Sequence, residues 1–436
     1  MTRPGGANRV APLDRAELHG SLGDPVLTSI AFLNEIMSRF PDAISFAPGA
    51  PHLRFLRDLD VHRHVDRYVD HLCAERGLPP GQARRLLYEY GPSRGLITDL
   101  VSEALRDQGI DVPPEAVVIT VGAQEAMVLT LRALCRSADE ALAVVTPCFV
   151  GILGAARLLD IDVVGVGESG HGLDLEQLAA ACRAARAGGR RIRAVYVAPD
   201  YANPSGTRLD LPTRLRLLDL AEQEDLFLLE DSAYWFTALP EAEIPMLKAL
   251  DTAARVIHIG TFAKLCLPGA RVGFAVADQF VRTKDGRYRR LADDLADLKT
   301  MLTVNTSPIC QAIVGGMLLE HGGSMARLGR EKAALYRRNL ANLLSALEKQ
   351  VPRDGEVSWN HPEGGFFVRM RLPIPADTAL LELSASKYRV LWTPMSPFHL
   401  DAAGANELRL SCSYLDPEQI EEGVGRLAEF LRNIAT

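Results

Sequence analysis

Between residues 95 and 280 the chain alternates short, almost wholly apolar runs with longer segments whose apolar residues recur at helical spacing. The runs Ala116–Val121, Leu142–Thr146, Ile161–Val166, Ile192–Ala198, Leu226–Glu230, Val256–Gly260 and Arg271–Val276 predict strands. A strand covered by helices on both sides is buried on both faces, so it shows no alternation of apolar and polar positions. Amphipathic segments lie between several of these runs: Ala123–Cys135, Leu173–Ala187 and Leu211–Glu224. Strand, helix and strand in repetition predict an α/β domain around a mostly parallel sheet.

After about residue 285 the pattern changes to long helical periods, the longest over Met325–Gln350. Short strands are predicted at Phe366–Leu372 and Glu407–Ser413, and a last helix from Pro417 to about Ile434. This reads as a smaller α+β domain. The expected organisation is 1–60 as an N-terminal arm and part of the small domain, 61–325 as the large domain and 326–436 as the C-terminal small domain. The opening MTRPGGANRVAP lacks the apolar core of a signal peptide and reads as a frayed arm.

Composition narrows the function. At roughly 100–200 residues per domain, 436 residues accommodate two such units without disulfide staples. The 48 basic and 55 acidic residues give a net charge of −7, which argues against a nucleic-acid binder. No run of about 18 apolar residues is present, so no membrane span is expected. The 7 cysteines are scattered and form no C-x-x-C pair, as in a reduced, cytoplasmic protein. Neither they nor the 10 histidines show metal-ligand spacing, so no metal is expected.

One motif misleads. Gly165–Gly170 (GVGESG) follows a strand and matches G-x-G-x-x-G. A dinucleotide fingerprint also needs a helix opening inside the motif and an acid about twenty residues later. Here the next helix starts near Leu173–Asp174 and the stretch near 190 is GGRRIR, so a glycine-rich turn accounts for it better.

The informative stretch is Gly260–Gly273, GTFAKLCLPGARVG. Lys264 stands alone among apolar residues directly after a buried strand, where desolvation lowers an amine's pKa and frees it as a nucleophile. Arg271 sets a positive charge beside glycines, where a phosphate can approach the backbone. A snorkelling lysine and an ordinary surface arginine fit this stretch as well.

In register, Lys264, Pro268, Gly269, Arg271 and Gly273 resemble the S-F-S-K-x-x-x-P-G-x-R-x-G lysine segment of the class I/II aminotransferases, which bind pyridoxal 5′-phosphate on fold type I. Other stretches similar to the family follow in order: ISFAPGAP from Ile44, YGPSRG from Tyr90, Gly122-Ala123-Gln124, NPSG from Asn203, Asp231 and Tyr234 in EDSAYW, and Arg409 in NELRLSCS. The resemblance implies an aspartate-aminotransferase-like fold, with a mixed, mostly parallel sheet in the large domain. It implies Lys264, Asp231 and Tyr234 as catalytic residues. It implies that Gly122, Ala123, Gln124, Thr261, Arg271 and a partner subunit's Tyr90 surround the cofactor phosphate, with Phe149, Asn203, Asp231 and Tyr234 about the ring. Gly49, Asn203 and Arg409 are implied at the substrate, and a homodimer with shared sites is implied for the assembly.

The physics of these positions agrees. Gly122–Gln124 opens a helix after a strand, so free amides and the positive helix end converge on one spot. Asp231 ends a strand at the edge where open α/β sheets bind ligands, and a carboxylate there keeps a pyridine nitrogen protonated. Read alone it is equally a helix N-cap, and Glu230 is a rival carboxylate. A planar arginine such as Arg409 suits a substrate carboxylate. Thr261 replaces the segment's first serine and keeps its hydroxyl, whereas Ala263 replaces the second and loses one. Phe149 stands for a tyrosine, and LITDL lacks the arginine common after the Y-G-x-x-x-G turn. Met395, in WTPMSPF, stands for a glycine and is expected to narrow or reshape the substrate pocket.

The reading is an aminotransferase moving an amino group between an α-amino acid, aromatic or unusual, and a keto acid through a lysine Schiff base. ELHGSLGDPVLTSIAFLNE and PMSPF are similar to the arylglycine aminotransferases of peptide-antibiotic pathways. One alternative is a related enzyme that diverts the quinonoid to β- or γ-substitution, or to oxidative deamination or decarboxylation. A remoter one is a cofactor-sensing regulator, for whose winged-helix domain the stretch before Ile44 is too short.

Overall fold

The predicted strands assemble into one seven-stranded sheet. The computed structural model describes residues 13–169, 172–239, 242–351 and 356–434. The first twelve residues of the expected arm lie outside these, as does Gly170 of the glycine-rich motif. The strands are β1 (Val117–Thr120), β2 (Glu140–Thr146), β3 (Asp162–Gly167), β4 (Arg191–Val197), β5 (Phe227–Asp231), β6 (Val256–Thr261) and β7 (Gly273–Val276). Their order is β1-β7-β6-β5-β4-β2-β3. All neighbours are parallel except β7, which is antiparallel to both β1 and β6.

Alternate residues of these strands enter different cores. Leu142, Val144, Tyr196, Leu229, Ile257 and Ile259 share one cluster, while Ala143, Val195, Val197, Leu228 and Val256 share another. Both faces are therefore apolar, which explains the unbroken runs in the sequence.

Helix α1 (Pro25–Arg39) contributes Pro25, Thr28 and Met37 to the lining of a large cavity, and α2 (Val61–Arg76) packs on α4 (Pro308–Glu320). A side chain at Gly316 of α4 would collide with the His64 carbonyl of α2, so the two helix backbones cross in close contact. Between them in sequence, α3 (Gly122–Leu134) follows β1 directly.

The C-terminal part holds a four-stranded antiparallel sheet in the order β8-β9-β11-β10. Its strands are β8 (Ser358–Trp359), β9 (Phe367–Arg371), β10 (Thr393–Pro394) and β11 (Glu407–Ser411). A separate core joins it to α6 (Pro417–Ile434) and to Ile36 and Phe46 from the N-terminal segment. The long helix α5 (Met325–Gln350) serves both parts: Leu328, Leu335 and Tyr336 enter a core shared with Tyr68, Ile119, Phe262 and Phe274, and Leu340, Leu343 and Leu347 enter the C-terminal one. Residues 44–52 run between the two sheets, pinned where Ile44 and Ser45 pair with Val390 and Leu391.

Candidate active site

Because β7 alone is reversed, β1, β5 and β6 end at the same sheet edge. Beyond β1 the chain turns at Gly122 (φ 71°) into α3, whose first amides have no intrahelical carbonyl to bond. The Arg271 guanidinium lies against Gly122 and occupies the space a β-carbon would take. Arg271 itself sits in the left-handed region (φ 51°), a strain of about 1–2 kcal/mol for a residue with a side chain. Gly273, paired with both Thr120 and Thr261, lets the cup close: a β-carbon there would sit 2.7 Å from the Ala123 nitrogen. The Thr261 hydroxyl accepts the Ala263 amide at 3.2 Å, which orders the turn that follows β6. Amides at a positive helix end beside an arginine make a cradle for a phosphate.

Asp231, the last residue of β5, is 8% exposed. Its Oδ2 accepts the Tyr196 hydroxyl at 2.6 Å, whereas Oδ1 is buried without a partner in hydrogen-bond geometry. Burial raises its pKa, against the Tyr196 hydrogen bond, His258, the nearby Ala233 amide and Lys264. The rival Glu230 points away: it accepts the Leu247 and Lys248 amides at 2.7 and 3.0 Å and pairs with buried His258 at 2.9 Å.

The turn after β6 anchors Phe262, Leu265 and Cys266 in the core, each at most 2% exposed, and so aims Lys264 into the cavity. Its Nζ donates to the Gly49 carbonyl at 2.6 Å. Burial pushes its pKa down to about 8, helped by the positive fields of Arg409 and Arg271 and opposed by Asp231. A snorkelling lysine is thereby excluded.

Arg409 is not a surface charge either. It is 5% exposed, with Leu408 and Leu410 buried on the opposite face of β11. Its guanidinium lies 4.3 Å from the Phe367 ring centre and 5.2 Å from that of Phe398. It donates to Asn203 Oδ1 (2.6 Å), the Ala47 carbonyl (2.8 Å) and Thr393 Oγ1 (3.2 Å), all neutral, and Nε has no partner. Burial lowers its pKa to about 10. A buried guanidinium with only neutral acceptors is a receptor for a carboxylate.

Tyr234 packs edge-on against Phe366 and Phe367 at 5.0 and 5.5 Å, beside Gly49 and Asn203, and burial raises its phenol pKa. These groups face one cavity of about 1210 Å³. Gly49, Ala123, Gln124, Phe149, Asn203, Asp231, Tyr234, Thr261, Lys264, Arg271 and Arg409, each expected from the sequence, all line it.

Three further side chains are placed by the structure. The Gln124 side chain donates to the Gly151 carbonyl at 2.6 Å, so its amide group braces Phe149 and its neighbours. Met395 is fully buried behind the wall, against Val150 and Phe398, and does not itself narrow the pocket. Tyr90 is 88% exposed and does not line the cavity of its own chain. Sequence reasoning missed Tyr196, Thr393 and the carbonyls of Ala47 and Gly49. Backbone acceptors carry no residue signature, and Tyr196 reads as one more apolar residue of a core strand.

A lysine, an orphaned carboxylate oxygen, a phosphate cradle and a carboxylate receptor around one cavity define a pyridoxal-phosphate enzyme acting on amino acids. A sequence model for aminotransferase class I and II matches residues 83–427, and the chain belongs to this family. It is 45% identical over 420 residues to the (S)-3,5-dihydroxyphenylglycine transaminase of Amycolatopsis orientalis, covering 96% of this chain and 94% of that one. Identity to the 2-aminoadipate transaminase of Thermus thermophilus is 31% over 427 residues, 97% of this chain and 98% of that one. The crystal structure of LysN, the α-aminoadipate aminotransferase of T. thermophilus, superposes with a TM-score of 0.79 at 29% identity, over 97% of this chain and 99% of LysN. The protein is a pyridoxal-phosphate-dependent aminotransferase of fold type I.

Proposed function

We propose that this aminotransferase acts on α-amino acids with a compact, uncharged aromatic side chain, of the arylglycine type, and passes the amino group to a keto acid. The lining of the cavity carries the reading. Apart from the residues assigned to the cofactor, Met37, Val150, Pro394, Pro397 and Phe398 make much of it apolar. Among the described lining residues the cations are Lys264, Arg271 and Arg409 alone, and besides Asp231 the lining carries a second carboxylate, Asp377. A second carboxylate on a substrate would therefore be buried without a counter-charge. Similarity to a transaminase named for a dihydroxyphenylglycine supports the same class.

In this reading Arg271, Thr261 and the Gly122–Gln124 amides would hold the cofactor phosphate, Phe149 would stack on its ring, and Asp231 Oδ1 would accept the pyridine N–H. Asn203 and Tyr234 address the ring's phenolic oxygen. Lys264 Nζ, neutral above about pH 8, would hold the cofactor by condensing with its aldehyde, with loss of water. With a substrate amine in its place, the same Nζ would be free to take the Cα proton as a base and to give it back as an acid. When bound, the cofactor withdraws the electrons that this proton leaves behind. Arg409 and Asn203 hold the substrate carboxylate, fixing which Cα bond faces Lys264.

The exposed Tyr88, Tyr90, Met301, Leu302, Val304 and Ile309 favour a homodimer in which Tyr90 reaches the partner's phosphate. The separate C-terminal core supports the division into a cofactor domain over 61–325 and a smaller domain from 1–60 and 326–436.

The test is a comparison of kcat/KM for phenylglycine-type amino acids with that for glutamate and 2-aminoadipate. The reading predicts a preference of about 100-fold or more for the aromatic class, the cost of an unpaired buried carboxylate. Equal or better turnover of the dicarboxylates would sink it.

A further inference from the structure

Tyr196 lies on β4 opposite Leu229 of β5, so its side chain shares a sheet face with Asp231, two residues further along. A diagonal neighbour at that offset is within reach of an aromatic side chain. The residue is 3% exposed and packs in an otherwise apolar cluster with Val144, Leu229, Ile257 and Ile259. A phenol in such a place needs a partner, and Asp231 Oδ2 at 2.6 Å is the one it has. That length belongs to hydrogen bonds between a hydroxyl and an ionised carboxylate. The bond occupies one oxygen only; Oδ1 stays buried and unpartnered at the cavity wall.

We propose that Tyr196 is a positioning residue, whose phenol clamps one oxygen of Asp231 so that the other faces the pyridine nitrogen of the cofactor. It rests on the reading of Asp231 given above. Two effects follow. The clamp removes the carboxylate's freedom to turn, so the acceptor is in place before the cofactor arrives. It also favours the ionised carboxylate against the burial that opposes it. Without the hydroxyl, Asp231 would hold a proton more tightly and keep the pyridine nitrogen protonated less well.

The test is a cycle of Tyr196→Phe, Asp231→Asn and the double variant. Each is read by cofactor titration of the cofactor-free protein and by the pH midpoint of the bound cofactor's visible band. Tyr196→Phe removes one oxygen atom and leaves the packing ring. The clamp predicts cofactor affinity weaker by about 10–100-fold, the range for a hydrogen bond to a charged group. It also predicts an upward shift of the midpoint, with the KM set by Arg409 unchanged. In the Asp231→Asn background the same substitution changes affinity by less than about 3-fold, because the charge it serves is gone. Tyr196→His keeps an N–H donor in a smaller ring. The clamp predicts partial recovery relative to Tyr196→Phe, whereas a packing role predicts a worse protein. Parent-like affinity and midpoint in Tyr196→Phe, or equal losses in both backgrounds, overturn the proposal. If Asp231→Asn alone moves neither readout, the reading of Asp231 fails and the clamp fails with it.

Discussion

Replacing Arg409 by lysine keeps a positive charge in the substrate site but removes the planar fork. The guanidinium is held between Phe367 and Phe398 by Asn203 and the Ala47 carbonyl. It therefore meets a substrate carboxylate without first having to be ordered. An ammonium on a flexible stem makes one charge-assisted contact where the fork makes two. A hydrogen bond to a charged group is worth about 1.5–3 kcal/mol, so Arg409→Lys should lower kcat/KM for an arylglycine by about 10–150-fold. The assay is the single-turnover half-reaction, run in parallel with phenylglycine and with benzylamine, which differ by the carboxylate alone. The loss should appear with phenylglycine, and benzylamine should stay within about 3-fold of its parent rate. Parallel losses with both amines would show that Arg409 supports the pocket generally, and the assignment would be wrong.

Lys264→Ala should abolish turnover and the visible band of the bound cofactor; a variant that still turned over would remove the lysine from the mechanism. The depressed Lys264 pKa sets a pH dependence in the cofactor-free protein. The buried ammonium disfavours the folded state fully below about pH 8, and that penalty fades as pH rises towards the ordinary lysine value near 10.4. Cofactor capture should therefore accelerate up to about pH 8 and then level off, and Arg409→Gln should move that inflection upward. A rate still climbing tenfold per unit at pH 9.5 contradicts this. Lys299 is fully buried, 2.7 Å from Glu125 at the start of α3. Lys299→Met leaves that carboxylate unpaired and should cost about 3–5 kcal/mol in urea unfolding; a loss under about 1 kcal/mol would contradict it. Gly122→Ala forces a β-carbon against the Arg271 guanidinium at a φ of 71°. Cofactor affinity should fall about 10-fold or more by titration, and an unchanged dissociation constant would remove Gly122 from the phosphate cradle.

The seven main strands were legible because each is apolar on both faces, and Met325–Gln350 because its period is unbroken. The reversal of β7 was not, since side-chain pattern carries no strand direction. Yet that reversal brings Gly273 between Thr120 and Thr261 and so closes the cup. In the site, Lys264, Asp231, Arg271 and Arg409 are readable through the ordered family motifs that contain them, because each taken alone fits an ordinary surface or capping role as well. Tyr196 was hidden because its function resides in one oxygen on a residue that otherwise belongs in a core strand. For Met395 the sequence shows a large residue at a pocket loop but not its side of the wall; it lies behind the lining residues Val150 and Phe398.

Mixing the cofactor-loaded enzyme with an arylglycine and no keto acid isolates the amino-group transfer. Transamination predicts stoichiometric release of the aryl keto acid, loss of the visible band and retention of the amino group on the protein. Addition of a second keto acid should then restore the band. Release of ammonia or carbon dioxide, or oxygen uptake in place of a retained amino group, would contradict it.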